Sequence, residues 1–160
     1  MRKIPTNKLN KKVVSAWRIN GIIDTVFIAI IVAIAEIILY FSVDNFMPFL
    51  VIGAIIVIVW FICDVLVVPA VRYRIWRYDV TEDEVDLYHG IIVRKRIIIP
   101  LVRVQFTDTK QGPIKKAFGL AEVTINTAGG EKTIPGLLDE DADALRDKVA
   151  RLASLAREEV

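Results

Sequence analysis

The sequence predicts an α+β membrane protein: a two-helix transmembrane hairpin followed by an antiparallel β domain that a C-terminal helix closes. Three observations predict it. Residues 22–71 contain no Lys or Arg and only four acids, Asp24, Glu36, Asp44 and Asp64. After Tyr73 the chain changes to short runs of β-branched and aromatic residues separated by turn signals. The final segment then places its apolar residues at helical spacing.

The totals agree with a mixed protein. An apolar fraction of 54% and a mean hydropathy of +0.48 are high for a soluble domain and low for a polytopic transporter. Residues 1–18 form a basic tail with Arg2, Lys3, Lys8, Lys11, Lys12 and Arg18 and no acid. The apolar stretch from 19 to 41 exceeds the core of about 7–15 residues in a cleavable signal peptide, so it reads as a retained anchor. Spans over 22–40 and 46–68 each suffice for a hydrocarbon core about 30 Å thick. The link Ser42-Val43-Asp44-Asn45 is too short for anything but antiparallel neighbours. Pro48 sits where a first-turn proline is tolerated, and Pro69 is expected to mark the far end of the second span.

Orientation follows from the basic residues: six precede the first span, Arg72, Arg74 and Arg77 follow the second, and none lies in the link. Both termini are therefore expected in the cytoplasm, with a multi-pass protein in the plasma membrane. Trp17, Tyr40, Tyr73 and Trp76 stand where interfacial anchors belong, whereas Trp60 lies well inside the second span. The expected organisation is a tail over 1–18, a hairpin over 19–71 and a cytoplasmic domain over 72–160.

In that domain, strands are expected over 75–80, 84–88, 91–99 and 101–109, forming a β-meander. His89-Gly90 is read as a tight hairpin turn and Pro100 as a break. Residues 121–127 alternate Val123 and Ile125 against Thr124 and Asn126, and Gly129-Gly130 turns the chain into a strand over 132–134. Leu138, Ala142, Leu145, Val149, Leu152 and Ala156 then mark one face of a helix. Asp139, Glu140, Asp141 and Asp143 crowd its first turns, where negative charge suits the helix dipole.

These pieces resemble a known family. The likeness is carried by Arg74, Tyr78, Val80 and Thr81, by His89-Gly90-Ile91-Ile92, and by Ile99-Pro100-Leu101-Val102-Arg103-Val104-Gln105. It continues through Gln111-Gly112-Pro113-Ile114, Phe118-Gly119-Leu120-Ala121, Val123-Thr124-Ile125, Thr127-Ala128-Gly129-Gly130 and Ile134-Pro135-Gly136-Leu137. In this order the set is similar to the bacterial pleckstrin-homology (PH)-like domain of small two-helix membrane proteins of the YdbS type, over roughly residues 72–152. The resemblance implies a curved, partly open β-barrel or sandwich capped by the C-terminal helix. It carries over no catalytic residue.

Chemistry is sparse in the sequence. The single histidine, His89, is assigned to a turn, and Ser15, Ser42 and Ser154 lie in a tail, a link and the last helix, so no Ser/His arrangement forms. Gly129-Gly130 lacks the Lys and helix of a phosphate loop. One cysteine, Cys63, allows no intramolecular disulfide, and metal-ligand spacing is absent. No enzyme activity and no cofactor are expected. The 89 residues from 72 onward carry fifteen Lys/Arg against fifteen Asp/Glu, a balance that argues against nucleic acid.

Asp24, Glu36 and Asp64 are the intramembrane candidates, because an ionisable group in a bilayer is costly. Pairing with Arg18, Arg72 or Arg74 or helix association is one reading, and ion chemistry in an oligomer the other. Ala29, Ala33, Ala35 and Gly53-Ala54 offer close helix contact, while Gly21 stands too near the membrane edge to count. Arg94, Lys95, Arg96, Lys115 and Lys116 offer a basic patch for anionic lipid, against which stands the acidic turn Thr81-Glu82-Asp83-Glu84. The expected function is a membrane-anchored interaction or scaffold module, with envelope maintenance or stress response as its setting. A subunit of a transport or export complex and an anionic-lipid sensor are the rivals. The expected partners are the lipid bilayer and a protein: another copy, or a larger relative with the same domain.

Overall fold

The computed structural model describes residues 3–158; Arg2 of the basic tail lies outside them. The chain divides into two units. One runs Trp17–Ala70, and the other joins the residues up to Ala16 to those from Val71 onward.

The first unit is the apolar hairpin. Helix α1 spans Lys12–Ser42, and its first turn is closed by the Asn10 carboxamide, which accepts the Lys12 N–H at 3.0 Å. Helix α2 spans Met47–Phe61 with Pro48 in its first turn. The link is braced by Tyr40, which meets Phe41 and Phe46 edge-on at 5.4 and 5.6 Å. A π-helical turn, Ile62–Val67, follows, and α3, Val68–Ile75, continues the same rod. The helix therefore continues past Pro69, the residue expected to mark the far end of the second span. Its ring cannot donate a hydrogen bond and would crowd the carbonyl of Val65 in a regular helix. The preceding turn instead widens, with the Val68 N–H bonded back to Cys63.

Both helical stretches, Lys12–Ser42 and Met47–Ile75, are long and apolar enough to cross a membrane. Their isoleucines point outward, Ile38 being 62% and Ile58 57% exposed, while Gly21, Thr25 and Gly53 are buried. Such a surface suits hydrocarbon as its solvent.

The second unit holds two three-stranded antiparallel sheets, β1–β2–β3 and β4–β5–β6. The first contains β1 (Arg77–Val80), β2 (Glu84–His89) and β3 (Lys95–Pro100). A 3-10 turn, Leu101–Arg103, leads to β4 (Val104–Lys110), a short helix α4 (Pro113–Ala117), β5 (Leu120–Thr127) and β6 (Gly130–Leu138). Helix α5, Asp139–Glu158, packs on the second sheet and the 3-10 turn. This is the PH-like α+β domain. Its core is Val85, Leu87, Ile99, Leu101, Leu120, Val123, Ile125 and Ile134, covered by Ala142, Val149 and Ala153 of α5. Leu138 belongs to β6 and not to the helix face.

Three local expectations change. Strand β3 starts at Lys95, so residues 90–94 form a loop where a tight turn was expected. The register explains why: Val85 pairs with Ile99 and Leu87 with Ile97. A two-residue turn at His89-Gly90 would have set Arg94 across from the fully buried Val85. His89 accordingly ends β2 instead of making a turn, and only Gly90 takes a positive φ, +113°. Trp76 is no interfacial anchor: it is 4% exposed and stacked on His89 at 5.8 Å.

Residues assigned to the basic tail also take part in the fold. Leu9, Val13 and Ala16 are buried in the second unit. Asn7 exchanges backbone hydrogen bonds with Tyr78 of β1, both at 3.1 Å, and the Asn10 N–H bonds the Gly136 carbonyl at 2.9 Å. Gly136, at φ +69°, leaves the space that the Val13 side chain fills.

Candidate functional site

The intramembrane acids do not converge. Asp24 is exposed on α1. Asp64 lies in the π-helical turn against Gly21: a Cβ there would stand 2.8 Å from the Asp64 carbonyl oxygen and 3.2 Å from Oδ2. Glu36 lies against Gly53 on the other helix, its carboxylate filling the space a side chain at 53 would need. Each helix thus offers one glycine as a notch for the other's acid. The fifteen residues from Gly21 to Glu36 set the two notches about 22 Å apart at the α-helical rise. Gly21, set aside in the sequence reading, is one of the pair, and the signal was its position opposite an acid at matching depth. Ala29, Ala33, Gly53 and Ala54 line a shallow groove of about 340 Å³ with Glu36, which Ala35 does not join.

The five basic candidates are also divided. Arg94 lies in the β2–β3 loop, Lys95 and Arg96 in β3, and Lys115 and Lys116 in α4 beside the other sheet. Arg96 grips the buried Asp86, its Nε donating to both carboxylate oxygens at 3.1 Å and its terminal nitrogen to one at 2.5 Å. That carboxylate holds the guanidinium above its ordinary pKa. Lys115 pairs with Glu122. Arg94, Lys95 and Lys116 are exposed.

One feature had no counterpart in the sequence reading. A cavity of about 650 Å³ opens where β3 hands over to β4, lined by Ile97, Ile98, Ile99, Pro100, Val102, Val104, Gln105 and the turn Thr127-Ala128-Gly129. Its charged lining residues are Arg103, Lys132 and Arg157, with no carboxylate. Among the described residues, β3 pairs only with β2 and β4 only with β5, so one edge of each strand at this corner has no strand partner. The other two edge strands, β1 and β6, are bonded by the N-terminal segment through Asn7 and Asn10. Residues from β3, the 3-10 turn, β4, β5, β6 and α5 build this cavity together, a conjunction that no local sequence pattern announces.

Near the start of β1, His89 is pushed below its ordinary pKa, first by burial and then by Lys95, Arg72 and Lys132. That end of the sheet is electropositive. Among the described residues, no group of three His, Cys, Asp or Glu side chains is arranged to hold a metal.

Comparison with known proteins agrees with this architecture. The family described as "Bacterial PH domain" matches residues 18–153. The chain is 40% identical, over the full length of both, to the UPF0699 transmembrane protein YdbS of Bacillus subtilis (strain 168). It is 28% identical over 92 residues to the UPF0699 transmembrane protein YdbT of the same organism, covering 55% of this chain and 19% of that one. No solved structure matches.

Proposed function

Because the chain belongs to the bacterial PH domain family and is a membrane protein, we propose that it is a non-enzymatic interaction module held at the cytoplasmic membrane surface. In this reading the helices over 19–71 cross the bilayer twice, both termini are cytoplasmic, and the domain over 72–160 is presented to a protein partner. The excess of basic residues flanking the helices, against none in the link, supports that orientation.

The cavity beside β3 carries the proposal. An extended peptide can add to an open strand edge through backbone hydrogen bonds while its side chains enter neighbouring pockets. Here those pockets are apolar walls from Ile97, Ile99 and Val102, and three cations that would recognise an acidic side chain or a chain terminus. Tethering makes a weak contact sufficient, since two proteins confined to one membrane meet at a raised effective concentration. Envelope maintenance or stress response is the setting we propose for such a scaffold.

The test places a photoreactive amino acid at Val102 of the full chain in native membranes. We expect a protein adduct that maps to an extended acidic segment of the partner and disappears when Arg103 and Lys132 are both changed to Glu. No adduct from correctly inserted protein, or one indifferent to that charge reversal, overturns the reading.

A further inference from the structure

The β2–β3 connection presents Ile91, Ile92 and Val93 to solvent, with Ile92 95% and Val93 67% exposed. Hairpin tips ordinarily carry Gly, Asn, Asp or Ser, so three successive β-branched apolar residues there have no fold-level reason. Nor is the tip a slack excursion. A Cβ on Gly90 would run into the Val93 carbonyl and stand 3.3 Å from the Arg94 Cα, so the loop folds back closely on its own start.

Its charge surroundings are of one sign. No Asp or Glu occurs between Asp86 and Asp108, and Asp86 is occupied by Arg96. Arg94 and Lys95 flank the tip and are exposed. Lys95, Arg72 and Lys132 lie close enough to bear on His89, the residue from which the loop departs. The acidic turn over 81–84 joins β1 to β2 at the opposite end of the same sheet. Arg77, the first residue of β1, pairs with Tyr88, and Trp76 stacks on His89, so the tip projects from the end at which β1 begins. That strand begins two residues after α3 ends at Ile75.

From this combination of an apolar tip, a cationic collar and a position at the arriving end of the sheet, we infer that Ile91, Ile92 and Val93 insert into an anionic lipid leaflet. The loop is a second membrane contact, made by the β domain and distinct from the helices. Apolar side chains seated at the headgroup boundary with basic residues around them are a general mode of interfacial attachment. It holds the domain in one orientation on the membrane, independently of what occupies the cavity beside β3.

The experiment uses the full chain with Cys63 changed to Ala and a single cysteine introduced by Ile92→Cys or, at the acidic end, Glu82→Cys. Each carries an environment-sensitive fluorophore and is reconstituted in phosphatidylcholine vesicles with or without phosphatidylglycerol. At position 92 the emission is expected to shift blue and to be quenched by nitroxides on the acyl chains, more so with phosphatidylglycerol. At position 82 it should be quenched by aqueous iodide instead. Because a fluorophore can itself favour lipid, a second label at Arg94→Cys is followed with and without Ile92→Ser and Val93→Ser; loss of the apolar tip should return it to water. Removing one collar charge, Lys95→Ala, should weaken insertion roughly fivefold near an anionic leaflet. Iodide quenching at 92 equal to that at 82 overturns the inference. So does protection from iodide without quenching by the lipid nitroxides, which would mean that a second copy covers the tip. Insertion that ignores phosphatidylglycerol overturns the role of the collar.

Discussion

The hairpin and the β domain bury opposite things. In the domain Ile134 is 0% exposed and the charges other than Asp86 are not buried; in the hairpin Ile37 is 59% exposed and the buried positions include Gly21, Thr25 and Gly53. One residue type occupies both extremes within one chain. What decides its place is the solvent against which each unit folds: water drives apolar groups inward, whereas lipid offers no such drive and leaves backbone approach and polar contacts to join helices.

The strongest way to break this contrast is to truncate one isoleucine of each kind. Ile134→Ala should cost the domain about 2–5 kcal/mol, because it removes buried atoms and leaves a cavity. Ile37→Ala should change stability by less than about 0.5 kcal/mol, as surface substitutions do. Denaturant unfolding of the full chain in micelles, followed by near-ultraviolet circular dichroism, measures both; equal costs would mean that Ile37 has a protein neighbour in the assembled state.

The glycines sharpen the comparison at a smaller scale. Gly136→Ala forces an L-residue to φ +69° and drives its Cβ into Val13, a backbone-fixed obstacle, for an expected loss of about 1–3 kcal/mol. Gly53→Ala meets the end of the flexible Glu36 side chain and, at 2.9 Å, the Cγ1 of Val32, so the expected loss is about 1 kcal/mol. Glu36→Ala combined with Gly53→Ala should recover the part of that loss due to the carboxylate and leave the part due to Val32, and a thermal series on the four proteins reads the coupling.

The smallest effect separates the units by pH. His89 titrates below its ordinary value in the folded domain, so the unfolded chain binds the proton more readily. Stability contributed there is fully present above about pH 6.5 and is lost as the pH falls from that value through the lower folded one. His89→Gln should flatten this part of the profile. An unchanged slope would assign the acid sensitivity to other groups.

What the sequence displayed was whatever repeats locally. The two apolar runs, the short link between them and the acidic start of α5 need no distant partner to be recognised. Long-range packing stayed hidden. The run Ile91-Ile92-Val93 has strand composition, yet the pairing of Val85 with Ile99 decides that it is a loop. Leu9, Val13 and Ala16 stand at helical spacing, but the lysines around them made the segment read as a tail. The acids were found as residues and not as a geometry, since the glycine facing each one belongs to the other helix.

The seat of Val13 against Gly136 bears on how the protein is made. On the ribosome, Leu9, Val13 and Ala16 emerge before β1, and β6 follows the other five strands. These residues must therefore wait until β6 has been synthesised before their niche exists. A recombinant fragment beginning at residue 72 would lack that plug, leaving an unfilled hollow at Gly136 and an uncapped β1 edge, both invitations to aggregation. Biochemistry on this protein should keep its first sixteen residues attached.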